Sequence, residues 1–137
     1  MTVLLVDVAN VVGSRPDGWW RDRAGAATRL LAQLAALPRA LSGPDGALLT
    51  LTATVAVVEG AAREAAEPGG VRVVRAPGSG DDALVEVAGE LAGGGELLVV
   101  TADRGLRARL PDGTACAGPG WLRARLDEGG MGPRSGG

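Results

Sequence analysis

Thr2-Val3-Leu4-Leu5-Val6-Asp7-Val8-Ala9-Asn10 opens the chain, and the reading of this stretch decides the fold. Residues 2 to 6 are uniformly apolar after Thr2 and partly β-branched. The run is short and stops abruptly at the polar pair Asp7 and Asn10. An apolar run without polar alternation is the mark of a strand buried on both faces, and such strands belong in the middle of parallel sheets.

Outward from this strand, the loop from Gly13 to Gly18 leads into apolar residues at Ala27, Leu30, Leu31, Leu34 and Leu37, a helical stripe that Pro38 ends. Residues 42 to 47 form a turn-rich break. Leu48 to Val58 is a threonine- and valine-rich second strand that ends at Glu59-Gly60. A short helical piece, Ala61 to Ala66, is cut off by Pro68-Gly69-Gly70, and Val71 to Val74 makes a third strand. Pro77-Gly78-Ser79-Gly80 then leads into Asp81-Asp82 and a helix striped by Leu84, Val85, Val87, Ala88 and Leu91, closed by three glycines. Leu97 to Val100 is a fourth buried strand and Asp103 to Leu110 a short arginine-rich helix. Thr114 to Ala117 and Trp121 to Leu126 are expected as a last strand and helix. Residues 1–126 are read as one domain, and 127–137 as a disordered tail with little to bury. Strands alternating with helices imply βαβ units: an α/β domain in three layers, a parallel sheet with helices on both faces.

Composition removes several chemistries. The chain has no histidine, which excludes Ser-His-Asp triads and His-ligated zinc. All 14 basic residues are arginine, and the net charge of −2 gives no overall pull toward a polyanion, so nucleic acid would need a local arginine patch. Cys116 is the single cysteine, and neither a leader-like opening nor an apolar run of about 20 residues is seen. A reducing cytoplasm and no membrane association are expected.

Ligands of parallel α/β sheets bind outside the carboxyl ends of the strands. Four of the expected strands run into acids there: Asp7, Glu59, Asp81 with Asp82, and Asp103. Neighbouring strands lie about 4.8 Å apart, so these carboxylates would converge wherever their strands are adjacent. Clustered carboxylates raise one another's pKa unless a cation neutralises them, and Mg²⁺ or Mn²⁺ suits an all-oxygen site. A metal held there could activate water against a phosphodiester. Asn10 could orient water or phosphate through its amide. An Asp between strand and helix is also a common N-cap, which alone could explain Asp82 or Asp103.

The motifs Val6-Asp7-Val8-Ala9-Asn10, Val58-Glu59-Gly60, Gly80-Asp81-Asp82-Ala83-Leu84-Val85-Glu86 and Val100-Thr101-Ala102-Asp103-Arg104 resemble, in order and spacing, the NYN-type (YacP-like) branch of the PIN-like ribonuclease superfamily. The resemblance covers residues 3 to about 110. It implies strand order 3-2-1-4-5, metal-dependent hydrolysis of single-stranded RNA, and Asp7, Asp82 and Asp103 as the core metal-binding acids beside Asn10. Glu86, spaced four residues from Asp82, becomes an outer candidate, and Asp81 and Glu59 remain further metal candidates. Glu59 stands where the family more often has Asp. Gly78-Ser79-Gly80 replaces the basic residues often found near the mid-chain acid, so a protein partner or a homodimer is a conceivable source of substrate grip.

Arg104 follows Asp103 directly and is the best-placed arginine for a phosphate contact, whereas Arg107 and Arg109 read better as partners of helix-end carbonyls. Trp19 and Trp20, flanked by Arg15, Arg21 and Arg23, could stack on a nucleobase, although one of the two indoles is expected in the core. Arg15 and Trp19 are accordingly substrate-binding candidates. Two alternatives stand beside the nuclease: a non-catalytic RNA-binding or protein-interaction module on the same fold, and a phosphohydrolase of haloacid-dehalogenase type. The latter normally needs a second Asp two positions after the first, where this chain has Ala9.

Overall fold

The structure is a computed structural model that describes residues 1–135, with side chains as far as Glu128. Strand β1 (Thr2–Asp7) lies at its centre. On one side it pairs in parallel with β3 (Leu48–Val58), and on the other with β5 (Glu96–Val100). Val6 stands opposite Ala56 on one neighbour and Val100 on the other, so three strands end level with one another. Strand β4 (Arg72–Arg75) joins the far side of β3, and β6 (Ala115–Ala117) joins β5, both in parallel. The parallel strands thus run β4-β3-β1-β5-β6, which in chain order is the expected 3-2-1-4-5.

One strand departs from the parallel scheme. β2 (Ala40–Ser42) pairs antiparallel with Leu48–Thr50 of β3, and the sheet is therefore mixed. The turn-rich break is the connection of this hairpin, with Gly46 at φ +85°, a conformation that only glycine adopts without strain. β2 covers the first half of β3 and β4 the second, so both halves of a long strand find backbone partners.

Alternating residues of the central strands feed two cores, one on each face. Leu4 and Val6 point with Ala56, Val58, Leu98 and Val100 to one side. There they meet α1 (Val8–Val12), α2 (Arg23–Ala35) and α5 (Pro119–Ser135) through Val8, Val11, Leu30, Leu31, Leu34 and Leu122. Leu5 points with Val55, Val57, Leu97 and Val99 to the other, against α3 (Gly80–Leu91) and α4 (Arg104–Ala108) through Leu84, Val87, Ala88 and Leu106. Each fully buried leucine contributes about 1.5–3 kcal/mol relative to exposure, which explains why the helical stripes dock where they do. The domain is α/β, with a mostly parallel sheet flanked by helices on both faces.

The sequence reading ended the last helix at Leu126 and placed a tail from 127. Helix α5 continues to Ser135, and Asp127 accepts an ion pair from Arg15 at 3.0 Å. Gly136 and Gly137 lie outside the described residues. No helix among the described residues is long and apolar enough to cross a membrane.

Candidate active site

The carboxyl ends of β1, β3 and β5 and the start of α3 share one edge, and each supplies an acid. Asp7 ends β1 and caps α1: its Oδ1 accepts from the Asn10 backbone N–H at 3.3 Å. Its Oδ2 accepts from the Thr101 hydroxyl at 3.0 Å. Thr101 is completely buried just past β5, and its Oγ1 also accepts from the Asp103 N–H at 3.2 Å. One hydroxyl therefore ties the acid of the first strand to the loop that carries the acid of the fifth. Arg107 fixes that loop from behind, donating through Nε and Nη2 to the Thr101 carbonyl at 2.9 and 2.6 Å. The Asn10 side chain adds a third tie, its Oδ1 accepting from the Ala102 N–H at 2.8 Å. With Oδ1 committed, the amide nitrogen is the end of Asn10 left to meet a ligand.

Asp103 caps α4, accepting from the Leu106 N–H at 3.0 Å, while its exposed residue position leaves the second oxygen to solvent. Glu59, just past β3, reaches the start of α3 and accepts from the Gly80 N–H at 2.7 Å. Glycine leaves room for this contact: a Cβ at position 80 would stand 2.7 Å from the Glu59 carboxyl carbon and push that side chain aside.

Burial pushes the Asp7 carboxyl above the ordinary aspartate range. The hydrogen bonds from Thr101 and Asn10 pull it back, and the negative charges of Asp81 and Glu59 push it up again. Asp81 is also raised, first by desolvation and then by Asp103 and Glu59, with Arg109 opposing and the neighbouring Asp82 adding to the rise. Asp7, Glu59, Asp81 and Asp103 thus share a common field at one edge of the sheet.

Asp82, expected as the mid-chain ligand, stands on the more exposed side of the same first turn. Its side chain is 70% exposed and pairs with Arg109 at 2.7 Å. The cause is helix geometry: Ser79 caps α3 and fixes where its first turn begins, and successive residues then point about 100° apart. Asp81 is the less exposed of the two, and Asp82 faces Arg109. Glu86 lies exposed one turn beyond Asp82 and is not among the charges that raise Asp7 or Asp81. Among the described residues, no three acidic or other ligating side chains stand close enough to hold one ion together. The chemistry of the edge set nonetheless suits a hard cation, being oxygen-only and mutually repelling.

Of the other candidates, Arg104 opens α4 beside Asp103 and is exposed. Arg15 is turned to Asp127 on α5 and so carries a compensated charge. Trp19 packs half-buried against the core, and Trp20 is 51% exposed at its edge. Arg109 meets Asp82 rather than a helix-end carbonyl. Thr101 was present in the sequence within a Thr-x-Asp motif, but its role as the tie between two acids needed the register of β1 and β5 to become visible.

No protein-family model and no curated protein matches the chain. Among solved structures, the crystal structure of Rae1 (YacP) from Bacillus subtilis, in a mutant form, superposes with a TM-score of 0.66. The two are 18% identical over 96% of this chain and 78% of that one. A likeness of this kind establishes the shared fold.

Proposed function

We propose that this chain is a ribonuclease that hydrolyses phosphodiester bonds of single-stranded RNA at the carboxyl edge of its sheet. The observation that carries the proposal is geometric: parallel strands that end level and the start of α3 bring Asp7, Glu59, Asp81 and Asp103 to one edge, where Thr101 ties Asp7 to the Asp103 loop and Glu59 holds the Gly80 N–H. The fold likeness to a YacP protein adds support, because the sequence motifs resemble that same group. Asp7, Asp81 and Asp103 are the residues that would hold Mg²⁺ or Mn²⁺. When bound, such an ion supplies a water of lowered pKa and offsets the charge of the phosphate.

The protein's own residues have separate tasks. With Asp7, Asp81 and Asp103 committed to the ion, Glu59 is the edge carboxylate left to take the proton of the attacking water. Water then bonds to phosphorus as the bond from phosphorus to a ribose oxygen breaks, and the leaving oxygen takes a proton from solvent. The Asn10 amide donates to a phosphate oxygen, and Arg104 makes an outlying phosphate contact that lowers the salt tolerance of binding.

One observation favours the non-catalytic RNA-binding alternative: Asp7, Glu59 and Asp103 each already accept a backbone N–H, as capping residues do. Incubating an unstructured RNA with the protein and Mg²⁺ or Mn²⁺ separates the two. Cleavage that stops on chelation supports the nuclease. Binding without cleavage under every divalent metal would leave only the binding module.

A further inference from the structure

A cavity of about 420 Å³ opens beside the acidic edge, between α1, α2 and the turn Gly60–Glu64. Its walls are apolar, from Val8, Val12, Ala27 and Ala62, with the Trp19 indole among them. Glu59 and Gly78 line it as well, and Ala9 lies on α1 between Asp7 and Asn10. The cavity is therefore continuous with the edge through Glu59, a residue common to both. Arg23 stands 5.3 Å from the Trp19 ring centre, and Trp20 meets Trp19 edge-on at 6.0 Å. An indole in the wall and a second, exposed indole beside it are unusual in a chain whose aromatics make up only 2% of its residues.

We infer that this cavity is a base subsite, which takes one unpaired nucleobase of the RNA strand next to the phosphate held at the acidic edge. The inference rests on the ribonuclease reading and adds to it the part of the substrate that the protein grips. The lining decides what kind of group can enter. The Glu59 carboxylate and the apolar walls disfavour a phosphate. The lining Arg23 has its cation over the indole, where attraction to the ring holds it. A flat, neutral, aromatic ring fits these constraints, and ring stacking on an indole is tolerant of base identity. A volume above about 300 Å³ is in the range of sites that enclose a small ligand. Arg21, 6.0 Å from the Trp20 ring, adds positive charge at the rim for the backbone that follows.

The test measures binding, not cutting. An unstructured oligoribonucleotide and a set of strands each lacking one base are titrated against the full chain in an Asp7→Asn background with Mg²⁺, where no strand is cut. Trp19→Leu and Gly78→Val are compared in the same background. Gly78 lines the cavity and a Cβ there meets nothing within 4 Å, so Gly78→Val adds bulk at the rim without disturbing the core. It keeps the proposal testable should Trp19→Leu unfold, which thermal melting would show. Removal of one base should weaken binding about tenfold, the scale of one base stacked on an aromatic ring. Either variant should weaken the intact strand by the same factor and lose nothing further on the strand without that base. Equal affinity of the parent for every strand, or a base-removal loss that persists undiminished in both variants, overturns the subsite. Because cleavage is not read, failure of the subsite in this titration and failure of the nuclease in the cleavage assay are separate outcomes.

Discussion

Thr101 and Asp7 together show how much of the edge rests on single atoms. The Thr101 hydroxyl donates to Asp7 and accepts from the Asp103 N–H, and it is fully buried. Thr101→Val keeps the shape but leaves both partners unsatisfied, which should cost about 1–3 kcal/mol in chemical unfolding. An unchanged denaturation midpoint would mean that water replaces the hydroxyl. Asp7 behaves in the opposite sense. Its folded pKa is raised, mainly by burial, so the folded state binds the proton more tightly than the unfolded chain. The stability this contributes is present below the ordinary aspartate pKa and is lost as pH rises through the folded value. At neutral pH the ionised side chain is a burden on the fold. Asp7→Asn should therefore raise the melting temperature at neutral pH, and its advantage should shrink in acid. A lower melting temperature for Asp7→Asn at pH 7 would contradict the assigned burial effect.

The start of α3 makes the corresponding case for a whole element. Gly80 accommodates the Glu59 carboxylate, and a methyl group there would collide with it. In the wild type, Gly80→Ala should destabilise by about 1 kcal/mol, through the lost hydrogen bond to a charged group. In a Glu59→Ala background the same change should become neutral or stabilising by about 0.5–1 kcal/mol, since alanine is the better helix former. Equal effects in both backgrounds would show that the two residues are not coupled. This element also marks where sequence reading stops. That an acid opens α3 was legible from Gly80-Asp81-Asp82, but adjacent residues on a helix point in different directions. Only the position of the Ser79 cap decides between Asp81 and Asp82. β2 was illegible for another reason, being a strand of three residues held by pairing rather than by any pattern of its own. The run of α5 beyond Leu126 crosses glycines with no apolar stripe, and so it read as a tail.

At the scale of the whole molecule, the parallel order was legible because β1, the second half of β3 and most of β5 are buried apolar runs with an acid at or shortly after their carboxyl ends. That combination fixes both burial and the direction of the functional edge. The convergence of those acids makes a further demand. If their repulsion is relieved by a divalent ion that binds the folded state alone, millimolar Mg²⁺ or Mn²⁺ should raise the melting temperature, by about 2.7 kcal/mol of added stability at a hundredfold excess over Kd. A melting curve unmoved by either ion would show that no site assembles in this chain by itself. The central claim is that the gathered carboxylates, with Asp81 rather than Asp82 among them, cut RNA. Its most direct measurement is the rate of cleavage of one unstructured RNA by the wild type, Asp7→Asn, Asp81→Asn and Asp82→Asn, with each fold checked by melting. Asp7→Asn and Asp81→Asn should fall by at least about 100-fold, more than the loss of an outer partner of a metal ligand costs, while Asp82→Asn stays within a few-fold of the wild type. Loss in Asp82→Asn with Asp81→Asn unaffected, or equal cleavage by all the variants, would contradict the account.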